Sequence, residues 1–361
     1  MEQEVLTQTE EIVTNDGVVE TESTDANFEQ LGCEKVTDLY WGGQLVKPNF
    51  QLFRLTTHRG RIYFRFQDEK NFKNPLLYFG STSVVDEQPQ SEQLIEWRMA
   101  VGLDKSKRYL WLRTLYGSLT HSVIADYVNK GSIDLRELPN RLRKYFYENS
   151  FYCTETELKA MGVELQKEII GVRRFIQDYN VQFISIEMPV YSDTDGCASQ
   201  VDFLVFMDYQ KTKKDKLRRV CAVIDYKTTK KGARPEMRYQ LHSYENMVKE
   251  MFPELGEYEL LLFNLSPKAW TTTKWDGRTK PYQLANQTGK VDEKRYPHYL
   301  ELAKIRAQEK FNRTVSFIDG TMALTDEPTS FIKNKTIRQV IEDGDWQGLF
   351  GNQEVDLANA E

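Results

Sequence analysis

The sequence predicts a mixed α/β fold. A segment with the helical period, "ELQKEIIGVRRFIQDYN", precedes two segments with the period of two that β-strands show, "VQFISIEMPVYS" and "SQVDFLVFMDYQ", and the short apolar strand "AVIDY". The helical pattern "RPEMRYQLHSYENMVKEMF" and the apolar run "YELLLFNLSP" follow them. The order helix, strand, strand, strand, helix, strand is typical of a mixed sheet core with a short antiparallel element.

Local signals predict the flanking elements. "FQLFRLTTHRGRIYFRF" alternates apolar and polar residues around "HRG", which predicts a small hairpin. Ser91 precedes an apolar helical pattern and is the expected N-cap, and the next helix is expected to stop near Gly131. One further helix is predicted over Tyr296–Phe311. We expect the helices before the strands, and the C-terminal segment, to be additions to the core.

Composition and these elements divide the chain into four segments. Residues 1–26 are acidic, rich in threonine and poor in large apolar residues, so we expect a disordered tail. Residues 27–80 are expected to be an N-terminal β-rich segment and residues 81–267 to be the α/β core. Residues 268–361 are expected to be a C-terminal extension.

The distribution of charge decides whether a nucleic acid is a plausible partner. The net charge of the chain is −6, but residues 1–30 hold nine acids and no lysine or arginine, so the remainder carries +3. Between residues 208 and 238, eleven lysines and arginines face four acids. A globally acidic protein can therefore carry a basic face. Taken alone, the run "KTKKDKLRR" at residues 211–219 is more often a solvated loop than a phosphate contact.

Cysteine usage and hydropathy point to a cytoplasmic protein. The four cysteines are scattered with no CxxC pair, so we expect reduced thiols and no iron–sulfur cluster. No apolar run approaches the roughly 18 residues that span a bilayer, and the acidic N-terminus is unlike a secretory signal. We therefore expect no membrane partner.

Two acids and a lysine stand out on the predicted strands. Asp202 lies inside an otherwise apolar strand, and a lone buried carboxylate is costly unless it is paired, hydrogen-bonded or bound to metal. Asp225 and Lys227 are two residues apart, so they point to the same face at the end of a strand. Each feature alone is more often structural, since a D-x-K pair is usually a local salt bridge.

Two helical pairs complete the set. Gly117 and His121 lie one turn apart, which allows close helix approach at the glycine with the imidazole nearby. Gln240 and Tyr244 share one face of a later helix. A single histidine on a half-apolar helix is usually only a satisfied side chain, so neither pair is specific without the others.

Together these features resemble the RecB-like branch of the PD-(D/E)xK nuclease superfamily. That family shows G-x3-H, acids on strands, D-x-K and Q-x3-Y in this order, and "VIDYKTTKKG" is close to its central motif. The matching residues are Gly117, His121, Glu187, Asp202, Asp225, Lys227, Gln240 and Tyr244. The resemblance covers about half of the chain, and it implies a restriction-endonuclease-like mixed sheet flanked by helices.

The resemblance implies a divalent metal site. Asp202 and Asp225 would ligate Mg²⁺ or Mn²⁺, and His121 would be a further ligand. The backbone carbonyl of Tyr226 is a candidate fourth ligand. Glu187 would bind a second ion or a metal-bound water. No iron–sulfur cluster is expected.

The remaining motif residues would act on the substrate. Lys227 would orient or deprotonate the attacking water, or offset charge in the transition state, and the sequence leaves these roles open. Gln240 and Tyr244 would hold the substrate strand and position the lysine. Contacts to the phosphate backbone are expected from Lys230, Lys231, Arg234 and the loop 211–219.

The function implied is hydrolysis of DNA phosphodiester bonds. The resemblance favours an exonuclease of recombination, repair or phage DNA processing, in a bacterial or phage-infected cytoplasm, acting on single- or double-stranded DNA. The alternative is a catalytically silent nuclease-fold protein that binds nucleic acid or serves assembly. A protein partner would then bind the acidic N-terminal tail or the C-terminal extension.

Overall fold

The computed structural model describes most of the chain from residue 51 to residue 344. The described ranges are 51–57, 60–212, 214–228, 234–267, 279–312 and 332–344, with backbone strands at 32–35, 39–41, 44–46, 271–272 and 314–318. The predicted acidic tail at residues 1–26 lies outside the described residues, as do Lys230 and Lys231.

The elements follow one another as strands, helices and a mixed core. The strands are β1 (Gly32–Lys35), β2 (Leu39–Trp41), β3 (Gln44–Val46), β4 (Phe53–Thr57), β5 (Gly60–Asp68), β6 (Lys73–Gly80), β7 (Gln182–Ser192), β8 (Cys197–Tyr209), β9 (Arg218–Tyr226), β10 (Leu260–Ser266), β11 (Thr271–Thr272), β12 (Thr279–Lys280), β13 (Gln283–Asn286), β14 (Thr314–Ile318) and β15 (Ile332–Thr336). The helices are α1 (Thr82–Asp86), α2 (Glu92–Val101), α3 (Leu103–Lys130), α4 (Leu138–Glu148), α5 (Glu155–Asp178), α6 (Met237–Met251), α7 (Tyr296–Phe311) and α8 (Ile337–Glu342).

A nine-stranded mixed sheet is the centre of the described part of the chain. Its order is β1-β4-β5-β6-β8-β9-β10-β13, and β7 pairs with β8. The pairs β7–β8 and β8–β9 are antiparallel, whereas β9 and β10 are parallel and are connected through α6. The predicted order of helix, three strands, helix and strand is confirmed from α5 to β10.

Helices cover both faces of the sheet at strand β9. Val220, Ala222 and Ile224 lie in a hydrophobic cluster with α3, α4 and α5, whereas Cys221 and Val223 lie in a second cluster with α6 and α7. Since successive side chains of a strand point to opposite faces, both faces of β9 are buried. This explains the continuous apolar run in its sequence.

The segments expected to flank the core take part in it. Helices α3, α4 and α5 supply most of one hydrophobic cluster, and α7 contributes to the other. Strands β4, β5 and β6 extend the central sheet because β6 pairs in parallel with the first residues of β8, at Phe79–Cys197 and Gly80–Ala198. Strand β13 pairs with β10. The core sheet therefore draws strands from three of the four predicted segments.

Ser91 and Gly131 cap helices α2 and α3 as predicted. The Ser91 side chain accepts a hydrogen bond from the Leu94 amide at 3.3 Å and begins α2. Helix α3 ends at Lys130 and is capped by Gly131, whose φ of 70° lies in the left-handed region that glycine adopts without strain. Within the described residues, no helix is long and apolar enough to cross a bilayer.

Close packing at Gly171 yields a stability prediction. A Cβ at this position of α5 would lie 2.6 Å from Pro267 Cβ and 2.8 Å from the carbonyl oxygen of Pro281. We expect Gly171→Ala to lower the free energy of unfolding by about 1–3 kcal/mol in urea denaturation, because the backbone must shift.

Gly162 on the same helix is the matched control. Its added Cβ would meet Leu142 at an ordinary 3.7 Å. Gly162→Ala is expected to be neutral or to stabilise by up to about 1 kcal/mol through helix propensity. Equal loss of stability in both variants would contradict the packing explanation.

Candidate metal centre and catalytic site

Three side chains of types that can bind metals come from distant parts of the chain and meet at one place. His121 comes from α3, Glu187 from β7 and Asp202 from β8. His121 Nδ1 lies 3.2 Å from Glu187 Oε1 and 3.3 Å from Asp202 Oδ1. One ligand atom from each of the three lies within 4.8 Å of the others. The structure therefore brings the predicted histidine and two predicted acids into one cluster.

Asp202 connects this cluster to the end of β9. Its Oδ2 accepts a hydrogen bond of 2.6 Å from the amide of Tyr226. Asp202 is 6% exposed, so its carboxylate is almost fully removed from water. Burial acts to raise the pKa of Asp202, but the charge and hydrogen bond of His121, with Lys227 and the Tyr226 amide, hold it below its ordinary value. Asp202 is therefore ionised at neutral pH.

His121 neutralises two carboxylates. Burial acts to lower the pKa of His121, but Asp202 and Glu187 raise it well above its ordinary value. The imidazole is thus protonated when it lies between these acids. A protonated imidazole and a divalent cation are alternative ways to compensate the same two negative charges.

Glu187 has a backbone conformation that is rare within a strand. Its φ is 50°, in the left-handed region that residues other than glycine avoid. The neighbouring pairs Ile186–Phe203 and Met188–Val201 place Glu187 opposite Asp202 across the hairpin. Such strain costs on the order of 1–3 kcal/mol and is concentrated at functional sites. Here it accompanies the placement of a second carboxylate beside His121.

The D-x-K pair forms a polar chain that leads into α6. Lys227 Nζ lies 2.8 Å from Asp225 Oδ1 and donates to Gln240 Oε1 at 3.0 Å. Gln240 Nε2 in turn donates to the Tyr244 hydroxyl at 2.6 Å. The local salt bridge and the predicted contact with the Q-x3-Y pair are therefore both present.

Asp225 is buried, and its pKa is raised above the ordinary value. Burial raises the pKa of Asp225, Lys227 acts to lower it and Asp202 raises it, with the result at about 6. Its Oδ2 accepts a hydrogen bond of 2.7 Å from Asn264 Nδ2. Asn264 lies beside Asp225 on the parallel strand β10.

Asn264 and Glu168 are the residues that the sequence analysis missed. Glu168 of α5 is fully buried and accepts hydrogen bonds from the hydroxyls of Tyr116, at 2.9 Å, and Tyr226. Tyr226 also packs its ring edge-on against His121, with centroids 5.2 Å apart. Each missed residue carried a signal, since Asn264 interrupts the apolar run "LLLFNLS" and Glu168 lies on the apolar stripe of α5.

The donor set suits a hard divalent cation. One imidazole nitrogen and two carboxylate oxygens are ligands that Mn²⁺ accepts readily, and carboxylates are also ligands for Mg²⁺. Asp225 is engaged by Lys227 and Asn264 and is not one of the three clustered residues. The roles of Asp225 and of the Tyr226 carbonyl as ligands stay predictions.

The predicted phosphate contacts differ in their surroundings. Arg218 and Arg219 of the basic loop form ion pairs with Glu259 and Asp208, which favours a structural role for these two. Arg234 is exposed, with Glu236 at 3.6 Å. The substrate contacts predicted for Lys230 and Lys231 lie outside the described residues.

Comparison with protein families and with curated proteins gave no match. No protein-family model matches the chain. No curated protein matches it either. The functional conclusions therefore rest on the geometry of the described residues and on the sequence motifs.

The cluster predicts binding of one divalent cation. We expect calorimetric titration with Mn²⁺ to show binding that His121→Ala and Asp202→Asn each weaken at least about tenfold, because each variant removes a ligand. His242→Ala is the matched control, since that ring lies 3.2 Å from Glu245 on α6 with a similar side-chain exposure of 23% against 27% for His121. Unchanged affinity in His121→Ala would contradict the assignment.

The raised pKa of Asp225 predicts how stability depends on pH. In the folded protein the pKa of Asp225 is about 6, against about 4 in an unfolded chain. The unfolded chain therefore loses this proton first as pH rises from 4 to 6, and the free energy of unfolding falls. Asp225→Asn removes the titrating group and with it this fall in the free energy of unfolding. We expect its free energy of unfolding in urea, relative to the parent, to increase by about 1–3 kcal/mol between pH 4 and pH 8.

Asp208 provides a control of opposite sign. It pairs with Arg219 and Asn180, and these hydrogen bonds lower its pKa. Its contribution to stability is present above its unfolded pKa, so Asp208→Asn should become more destabilising as pH rises. A flat difference for Asp225→Asn across this range would show that Asp225 is not perturbed.

Proposed function

We propose that this protein is a metal-dependent nuclease with a restriction-endonuclease-like core of the PD-(D/E)xK type, which hydrolyses phosphodiester bonds of DNA. The observation that carries the proposal is the link through Asp202. One oxygen of this carboxylate contacts His121 of the three-residue cluster, and the other accepts from the amide of Tyr226, between Asp225 and Lys227. A candidate cation site and a lysine–carboxylate pair are thereby adjacent.

The cation would be held by His121, Glu187 and Asp202. When bound, Mg²⁺ or Mn²⁺ supplies charge neutralisation at the phosphate and makes a bound water more acidic. The carboxylates of Glu187 and Asp202 would supply the negative charge that holds the cation, and His121 would supply a neutral nitrogen after losing its proton. A phosphate bound by such a cation would lie near Lys227, whose charge also acts on Asp202.

Lys227 is the residue suited to act on the phosphate or on the attacking water. Its ammonium is held between Asp225 and Gln240, so its charge is fixed in position before substrate arrives. A fixed cation at the place where negative charge develops lowers the barrier to hydrolysis. Tyr244 steadies Gln240 in turn and acts through it.

Partial exposure of three side chains supports a site that a nucleic-acid strand can reach. The side chains of His121, Glu187 and Lys227 are 27%, 30% and 22% exposed, whereas Asp202 and Asp225 are almost fully buried. The buried acids can therefore set the geometry while the three other groups face an incoming phosphate. We further propose exonuclease activity in recombination, repair or phage DNA processing, which the motif order favours.

A digest of defined substrates tests the proposal. With Mg²⁺ or Mn²⁺ we expect degradation of end-labelled linear duplex or single strand and not of a closed circle. Lys227→Ala and Asp225→Asn should each lower the cleavage rate about 10²-fold to 10³-fold, because the first removes the fixed positive charge and the second removes the carboxylate that holds it in place. Binding of DNA by these variants should persist, measured without metal.

Lys249→Ala is the matched control because this lysine pairs with Glu245 at 2.7 Å on the outer side of α6. Its cleavage rate should equal that of the parent. Parental activity in Lys227→Ala would refute the catalytic assignment. Binding of DNA without cleavage under any metal would favour instead the alternative of a catalytically silent nucleic-acid-binding protein.

A further inference from the structure

A stripe of side chains along α3 leads to the candidate metal centre. Lys107, Trp111, Thr114, Ser118 and His121 follow one another at spacings of four, three, four and three residues, so they lie on one face of the helix. The first four are exposed. At 1.5 Å per residue the stripe is about 21 Å long and ends at the histidine of the metal-ligating cluster.

The composition of this stripe does not match a face that packs in the core. Trp111 is 51% exposed, although tryptophan side chains are usually well buried. Thr114 and Ser118 place hydroxyls between the indole and the imidazole; that of Thr114 donates to the Leu110 carbonyl at 3.0 Å, and Ser118 is exposed. Other large apolar side chains are also exposed nearby, on α2 and at the start of α3: Ile95, Met99, Leu103 and Tyr109.

The charge of this region selects its partner. Residues 98–113 contain five lysines and arginines against one acid, Asp104. Arg108 and Arg113 are ion-paired with Glu157 and Glu164 of α5, which leaves Arg98, Lys105 and Lys107 as the cations of this region. A large exposed aromatic beside cations and hydroxyl donors is the combination that binds single-stranded nucleic acids, in which unstacked bases lie on aromatic rings and phosphates meet cations. A duplex keeps its bases stacked and cannot present a base face to the indole.

The flank of the stripe connects it to the D-x-K segment. Arg113 donates to the carbonyl of Thr228 at 3.3 Å, and a Cβ at Gly117 would lie 3.9 Å from Thr228 Oγ1. The residue that follows Lys227 is therefore alongside α3. A strand that followed the stripe would pass Thr228 and reach His121 and Lys227 together.

We infer that this stripe is a binding track for one strand of a nucleic acid, with a base stacked on Trp111 and the backbone following Lys107, Thr114 and Ser118 to His121. The identity of the ligand as a phosphodiester chain rests on the proposed nuclease function. From Trp111 to His121 the helix rises about 15 Å, a length of about two to four nucleotides. The track thus sets which phosphate lies at the metal centre.

Binding of a fluorescein-labelled oligothymidylate in the presence of a chelator tests the track. We expect Trp111→Ala to weaken binding of a 12-mer about tenfold, as loss of one stacked base does, and to leave a duplex of equal length unaffected. Lys107→Ala should reduce the dependence of log affinity on log salt by about one unit of slope. Trp111→Phe should retain most of the affinity, since it keeps an aromatic face.

Tyr147→Ala is the matched control, because this aromatic is 85% exposed on α4, outside the stripe. Its affinity should equal that of the parent, and urea midpoints should show all variants folded. Parental affinity in Trp111→Ala, or an equal loss in Tyr147→Ala, would overturn the track. Dissociation of an oligomer by Trp111→Ala in sedimentation, with oligonucleotide binding unchanged, would assign the surface to a second copy of the chain instead.

The outcome for the track is separable from that for catalysis. Because binding is measured without divalent cations, loss of oligonucleotide affinity in Trp111→Ala supports the track even where the parent fails to cleave. Cleavage by the parent, together with unchanged binding in Trp111→Ala, overturns the track alone. A parent that neither binds nor cleaves overturns both.

Discussion

The buried carboxylate of Asp202 is the group on which the site depends. Removing a carboxylate from water costs several kcal/mol unless both oxygens find partners. Here one oxygen meets His121 of α3 and the other accepts from the amide of Tyr226 in β9. The requirement to satisfy this one charge therefore joins a helix, the central hairpin and the end of the next strand, and it brings the imidazole and the D-x-K pair together.

Tyr226 turns that junction into a rigid one. Its amide is bonded to Asp202, its hydroxyl to the buried Glu168, and its ring packs edge-on against His121. Because neighbouring side chains of a strand alternate, Asp225 and Lys227 lie on the opposite face from the Tyr226 ring, and Lys227 contacts Gln240 of α6 there. One face of this strand end is thus anchored by a tyrosine and a carboxylate, and the opposite face presents the charged pair.

Concentrating charge in this way works against stability. Burial raises the pKa of Asp225 to about 6, and Glu187 adopts a strained backbone conformation with φ of 50°. A pair that served only to hold the fold would gain little from either feature, since buried ion pairs contribute weakly to stability. Perturbed acids and strained backbone are instead characteristic of sites organised for chemistry. Under the proposed function, the short Asp225–Lys227 distance fixes the position of the ammonium.

The sequence by itself determined the local elements of the core and selected polar residues that lie together in the structure. Periodicity and apolar runs identified the strands β7 to β10, with α6 between the last two. The ordered motifs picked out His121, Glu187 and Asp202, which lie in one cluster, and the pair Asp225–Lys227. Tertiary structure alone decided that β4 to β6 and β13 join the same sheet and that α3 to α5 cover one face. It also decided that Glu168 and Asn264 hold Tyr226 and Asp225. The reason is physical: side-chain period reports which face of an element avoids water, whereas the partner of that face, or of a buried polar group, is chosen by contacts between residues far apart in the chain.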